Sequence, residues 1–448
     1  MKIALVTCRF IYDDYYSLAA SSIHENLALE YIASLLRKNG YHVDLFNQDL
    51  ENISDEHLTS YLTNNNYELV GFYTNCSNTK ETLSTAKRLP SNIHKCLGGY
   101  SATLFPQELI AKKGVDSIIM GEGEFPFLEL AQALKEGKDY SNIFNLVTKK
   151  KQNPMRPLID IDELSNPVRD ELYKKYSVKE FEDELRWALV SSSRGCNNNC
   201  AFCFVNRFYR IAEGQNARYR DPIKVVNEIE ELVKGDLKIN AIWFVDEDFI
   251  GRNEERAILI AEEIIKRDMD ISIEIDCRPD SINYDLFSLL KKAGLVNVFI
   301  GIESFSQSML NRLNKGVSVQ QNIEALNILK SLDINYILGN IFFDERTNLS
   351  ELHDSLKICR KYNFQQLNDP IRVRKSYLTF DKIHCHIPRD KKTKKLYKKI
   401  KKECANLFYN FLNSGNTSDE EILKLKNEVS EKLYQKVLKE LQKNANKS

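Results

Sequence analysis

The chain has 448 residues, 43% hydrophobic and 28% charged, which allows two or three domains with sizeable cores. Its 63 Lys+Arg balance its 63 Asp+Glu, so no whole-molecule field draws it to nucleic acid or to an anionic membrane surface. No apolar run approaches the roughly 20 residues that a membrane span needs, and ten cysteines spread over this length point to a reduced, cytoplasmic setting, where clustered cysteines bind metal or catalyse.

The opening stretch, "MKIALVTCRF", lacks the layout of a signal peptide and reads as a first strand over 2–7. Strand and helix signals then alternate: a helix over 26–40 stopped by Gly40, strands over 41–47 and 67–74, and a helix over 78–90 bounded by Pro90. Strand-like segments at 94–99 and 116–124 and a helix over 125–137 follow. Such alternation predicts a doubly wound parallel sheet, whose ligands sit at the carboxyl ends of the strands. Here those ends are Thr7-Cys8, Thr74-Asn75-Cys76, Gly98-Gly99-Tyr100 and Gly121-Glu122-Gly123-Glu124. Their glycines let backbone approach a bulky ligand, or simply make tight turns.

Pro154, Pro157 and Pro167 mark a connector, and a second alternating series follows it. Strands are expected at 186–192, 239–246, 271–276, 296–301, 334–343 and 368–374, with amphipathic helices between them. Six βα units make a partial parallel barrel with its site at the strand carboxyl ends. From about 388 the chain is Lys-rich and helical. Its basic run, Lys391 to Lys402, reads as a solvated helix face, or else as a hold for an acidic partner. "KIHCHIP" brings His384, Cys385 and His386 together without a spaced fourth ligand. The expected fold class is α/β: a doubly wound parallel-sheet N-terminal domain (1–140), a linker (141–184), a partial (β/α) TIM-like barrel (185–380) and a helical C-terminal tail (381–448).

Directly after the first barrel strand comes "SSRGCNNNCAFCF", with Cys196, Cys200 and Cys203 spaced C-x3-C-x2-C. Structural zinc takes four protein ligands, and catalytic zinc seldom takes three close cysteines. An iron–sulfur cube with one iron left open suits three thiolates on one loop.

With Phe202 before the last cysteine, this segment resembles the signature of the radical S-adenosylmethionine (SAM) enzymes. The resemblance implies a 4Fe-4S cluster on the three cysteines. SAM would chelate the open iron through its amino and carboxylate groups and be cleaved reductively to a 5′-deoxyadenosyl radical. It also implies an electron donor such as flavodoxin or ferredoxin. "WFVDEDF" (243–249) resembles the strand that meets the methionine amino group, offering Asp246, Glu247 and Asp248. "IDCRPD" (275–280) resembles the stretch near the ribose and carboxylate, with Arg278 able to hold a carboxylate bidentately. "GIES…LNKG" (301–316) offers Glu303 to the ribose or methionine.

The segment 97–130, "LGGYSATLFPQELIAKKGVDSIIMGEGEFPFLEL", is similar to the cobalamin-binding domain that precedes the barrel in one large subclass. The resemblance implies cobalamin held near Thr74, Asn75, Gly98, Gly99, Tyr100, Gly121 and Glu122, and methylation of an unactivated carbon of a small-molecule or peptide substrate. Tyr100-Ser101 stand where the subclass often has Pro-His, and no Asp-x-His-x-x-Gly motif marks a lower cobalt ligand. "IFFDERTNLSEL" replaces the common "GLPGET". Other outcomes of the same radical chemistry stay open: cyclisation, oxidation or epimerisation. So do a methylthiotransferase, with a second cluster on Cys8, Cys76 and Cys96, and a non-enzymatic cobalamin or cluster sensor.

Overall fold

The computed structural model describes residues 1–11, 25–176, 185–362, 375–379, 382–385, 387–399, 401–402 and 419–445. The chain divides into two compact units, one comprising Met1–Cys196, Phe204–Val245 and Tyr377–Ile383, the other Asn197–Cys203, Asp246–Ser376 and His384–Ser448.

In the first unit β1 (Lys2–Thr7), β2 (His42–Asn47), β3 (Leu69–Tyr73), β4 (His94–Gly98), β5 (Ser117–Ile119) and β6 (Leu146–Val147) form a sheet of order β2-β1-β3-β4-β5-β6. All neighbours run parallel except β6, which is antiparallel to β5. Strand β1 shows why the sheet is doubly covered. Ile3 and Leu5 pack into one apolar cluster while Ala4 and Val6 pack into another, so alternate side chains are buried on opposite faces, as parallel sheets require. The helices that cover them start where the sequence supplies caps. Asn26 accepts from the Leu29 N–H ahead of helix 27–38, and Ser54 accepts from the His57 N–H ahead of helix 55–64. The order reverses between β1 and β3, which creates the switch-point crevice at which such sheets bind ligands.

Residues 138–184, read from the sequence as a connector, carry β6 and a helix over 170–176. The same unit holds a parallel pair, β7 (Trp187–Val190) and β10 (Ala241–Phe244), with helix 222–234 between them capped by Asp221. It also holds the short antiparallel pair β8 (Ser193–Arg194) and β9 (Arg218–Tyr219).

The second unit carries β11 (Ser272–Cys277), β12 (Leu295–Glu303) and β13 (Asn335–Asn340), parallel and adjacent in that order. Helices 284–292, 319–331 and 349–361 alternate with them, each begun by an Asn or Ser cap. The strand expected at 368–374 lies outside the described residues, and strands occupy 375–379 and 382–385. Helix 419–445 buries Leu433 and Val437. It is tied to helix 349–361 by the Arg360–Glu431 ion pair (3.3 Å) and by Tyr434 stacking on His353. Residues 391–399 are helical; Leu396 and Tyr397 are buried while the lysines are exposed, which is the solvated-face reading of the basic run. The fold is thus α/β: a doubly wound sheet, a partial βα barrel and helical C-terminal segments.

Candidate functional site

The cysteine loop leaves β8 at Gly195. This residue has φ +82°, and a Cβ there would lie 1.8 Å from the Asn216 carbonyl oxygen, so only glycine fits. Cys196, Cys200 and Cys203 are cysteines of intermediate exposure. By compactness Cys196 falls in the first unit and Cys200 and Cys203 in the second. Among the described residues no group of three or more His, Cys, Asp or Glu side chains is gathered as a metal site. The side chains of His384, Cys385 and His386 lie outside the described residues. The cysteine loop fits a cluster by its donor chemistry, three accessible thiols on one loop, and by the bonds that hold its backbone.

Those bonds come from the second unit's own residues. The Ala201 N–H donates to the Leu313 carbonyl (2.8 Å), and the Asn314 side-chain amide donates to the Asn199 carbonyl (2.6 Å). Phe202 packs against Met309, Leu313 and Ile341. Arg278 donates to the Cys200 sulfur (3.6 Å), to both Asp280 oxygens and to the Lys315 carbonyl (2.7 Å). The "LNKG" stretch, noted above only as a likeness, is therefore the brace of the loop. Asn314, Asp280 and Lys315 are the residues that sequence reading missed.

Lys315 does more. Its Nζ lies 3.2 Å from Glu303 Oε1, with side chains 5% and 9% exposed. The pair lies over the bare Cα of Gly301, where a Cβ would sit 2.7 Å from Nζ. Glu303 ends β12 at φ +61°, at a register shift against β13. A non-glycine residue held there costs on the order of 1–3 kcal/mol and is typical of ligand sites. Asp246 and Asp248 are buried and Glu247 half-buried. Asp248 has one oxygen without a hydrogen-bond partner and the other 3.5 Å from the Asn198 amide. Burial holds the Asp248 carboxyl above the usual carboxylate range, against the pull of Arg278. Burial also works against the charge of Arg278, and its bonds to Asp280 outweigh that. In the replacement segment, Asp344 and Glu351 both grip Arg312.

At the carboxyl edge of the first sheet the expected residues have other engagements. Thr74 Oγ1 donates to the Gly98 carbonyl (2.7 Å) and accepts from the Ala102 N–H. Asn75 Oδ1 accepts from the Ser77 N–H in a local turn. Gly99 has φ +91°, and a Cβ there would lie 2.7 Å from the Thr74 carbonyl, so its smallness serves the fold before any ligand. Gly98 differs: an added Cβ meets only the Ile119 carbonyl, at 3.9 Å. Tyr100 sets its ring against Phe204 and Phe208, at 4.7 and 4.9 Å. Gly121 lines a pocket with Asn145, Met155, Leu158 and Phe208. The Glu122 carboxylate is held by Arg194 (3.1 Å) and Arg218 (2.9 Å). Burial pushes its pKa up, but the two guanidiniums outweigh that and hold it below the usual range.

Cys8 and Cys96 are buried, and burial pushes both thiols up to about 12. They belong to the apolar clusters on opposite faces of the sheet, whereas Cys76 is exposed. A second cluster on these three is incompatible with that placement. No helix among the described residues is long and apolar enough to cross a membrane.

Comparison with known proteins agrees with the fold. Residues 190–359 match the radical SAM superfamily and residues 16–131 the B12-binding domain. An uncharacterised methyltransferase of Pyrococcus horikoshii is 28% identical over 347 residues, covering 75% of this chain and 73% of the relative. The anaerobic magnesium-protoporphyrin IX monomethyl ester cyclase of Rubrivivax gelatinosus is 29% identical, covering 81% and 70%. The solved structure of the cobalamin-dependent SAM radical enzyme OxsB, with aqua-cobalamin and SAM bound, superposes with a TM-score of 0.80 at 17% identity, covering 98% of this chain and 72% of that one. At that identity the superposition establishes the fold. The chain is a radical SAM enzyme of the cobalamin-binding-domain subclass, whose cofactors are a 4Fe-4S cluster, SAM and cobalamin.

Proposed function

We propose that this enzyme transfers a methyl group to an unactivated carbon of a small-molecule or peptide substrate, in a reduced, cytoplasmic setting. The observation that carries the reading is the joining, in one chain, of a B12-binding match and a radical SAM match. A methyltransferase-named relative, matched over most of its length, favours it. When bound, the cluster and SAM supply a radical that takes a hydrogen atom from substrate, and cobalamin carries the methyl group; the protein supplies orientation and electrostatics.

The chain's own part divides between the two units. Cys196, Cys200 and Cys203 would hold the cluster, with Phe202 and the 313–316 brace fixing the loop. Asp246, Glu247 and Asp248 would receive the methionine ammonium, and the unpartnered Asp248 oxygen is a ready acceptor for such a charge-assisted bond. Arg278 would take the methionine carboxylate with its fork. Glu303 would accept from ribose hydroxyls, with Lys315 offsetting its buried charge. On the first sheet, Gly98, Tyr100 and Gly121 would face cobalamin. Thr74, Asn75 and Gly99 would act there by shaping the edge, whereas Glu122 is taken up by Arg194 and Arg218. An external reductant such as flavodoxin or ferredoxin would supply the electron.

The test is anaerobic reconstitution with iron, sulfide and hydroxocobalamin, then incubation with reductant and SAM labelled in its methyl group. Label should move to the protein-bound corrinoid fraction. If 5′-deoxyadenosine forms while label stays in SAM, methyl transfer is wrong. The chemistry would then be cyclisation or oxidation, a reading that the cyclase relative favours.

A further inference from the structure

Glu122 and Glu124 sit in the "GEGE" turn that follows β5, and both reach the start of the cysteine loop. Arg194, two residues before Cys196, donates through Nη1 to Glu122 (3.1 Å) and through Nη2 to Glu124 (2.7 Å). All three side chains are at most 14% exposed. The arginine also lies over the Tyr31 ring, 5.2 Å from its centroid. In the two-residue ladder of β8 and β9, Arg194 stands directly opposite Arg218. Like charges placed so are destabilising, and Glu122 lies against both, with Arg218 donating to its Oε2 at 3.0 Å. A second tie runs from the Ile159 N–H to the same oxygen (3.2 Å). Two cations meet two anions in a buried set, and the next residue, Gly195, admits no side chain at all.

We propose that Glu122, with Glu124, is a positioning residue for Cys196. On this account the two carboxylates of the "GEGE" turn anchor, through Arg194, the strand that launches the cluster loop, and are not themselves cobalamin ligands. The inference rests on Cys196 being a cluster ligand. Iron and sulfide content of the wild-type protein tests that assignment separately.

The experiment compares wild type, Glu122→Gln and the double variant Glu122→Gln/Arg218→Gln, all reconstituted anaerobically. Two readouts are taken: hydroxocobalamin titration, and the electron paramagnetic resonance spectrum and chelator resistance of the reduced cluster. Partners behind metal ligands typically matter by about 10–100-fold in metal affinity. Glu122→Gln leaves Arg218 without its carboxylate, directly opposite Arg194 in the ladder. It should broaden the cluster signal and speed iron loss to chelator by roughly tenfold or more, with cobalamin affinity unchanged. The double variant restores charge balance, leaves Arg194 paired with Glu124, and should recover the wild-type spectrum. Loss of cobalamin binding with an unaltered cluster signal would make Glu122 a cofactor ligand and overturn the proposal. An unaltered signal with unaltered cobalamin affinity would overturn it too. If Glu122→Gln fails to fold, the double variant decides: no recovery of fold and cluster signal there also overturns it.

Discussion

The carboxyl edge of the first sheet and that of β11–β13 were expected to hold ligands in the same way, and they differ in how their polar groups are satisfied. On the first sheet, Thr74, Asn75 and Glu122 are engaged by partners within the unit. In the second unit, Asp248, in the loop after β10, keeps an unpartnered buried oxygen, and Glu303 at the end of β12 holds a strained backbone beside the buried Lys315. Burying charge without full satisfaction is costly, so such groups mark where a ligand completes the arrangement. Fully satisfied groups mark scaffold, and there a ligand would be met by bare backbone, for which Gly98 leaves room.

The harshest break of the second region is at the cysteines. Replacing Cys196, Cys200 or Cys203 by Ala should abolish the visible absorption of the reconstituted cluster and 5′-deoxyadenosine formation; a triple variant that still made the product would remove the basis of the assignment. Next in size is Lys315→Met, which strands Glu303 as an uncompensated buried charge. It should cost on the order of 3–5 kcal/mol in the denaturant unfolding of the second unit. Glu303→Gln should cost less stability and weaken SAM binding by roughly ten- to a hundredfold, measured by equilibrium binding to the clustered protein. Equal SAM affinity in that variant would make the pair structural only.

How much of this could be read beforehand follows from the range of the signals. Strands β1–β5 and the barrel helices carry local periodicity or caps, and they stand within a few residues of their expected bounds. Helix 55–64 was missed because only Leu58 and Leu62 are buried on it. Strand β6 has two residues and exists only by pairing with β5, which no local pattern encodes. The cysteines were legible because their spacing is itself the signature of the proposed ligand set. Lys315 was not, because its partner Glu303 acquires meaning only through the turn at φ +61°. The engagement of Glu122 was hidden because Arg194 lies 72 residues away.

The first region can be sharpened by two adjacent glycines. Gly98→Val adds bulk where the fold leaves space, so it should leave stability near wild type. It should weaken cobalamin uptake by roughly five- to a hundredfold, the overpacking range. Gly99→Val meets the Thr74 carbonyl at a positive φ and should instead lower thermal stability, by about 1–3 kcal/mol. The reverse pattern would move the ligand face to Gly99.

A further effect concerns pH. Glu171 is buried, with the Asn26 N–H and the Asn47 amide as donors, and burial raises its pKa from the ordinary 4.5 to about 7. A folded-state pKa above the unfolded one means the native state binds more protons between those values. Stability is therefore full below about pH 4.5 and falls as pH rises toward about 7, by at most ~1.4 kcal/mol per pH unit. Glu171→Gln should flatten that slope in a pH series of melting temperatures. An unchanged slope would place the titration elsewhere.

The most direct test of the central claim is titration of the wild-type protein, its cluster intact, with hydroxocobalamin under anaerobic conditions. One equivalent should bind at micromolar concentration with a base-off spectrum, as expected where no Asp-x-His-x-x-Gly motif supplies a histidine to cobalt. A protein that took up no cobalamin while retaining its cluster would contradict the account.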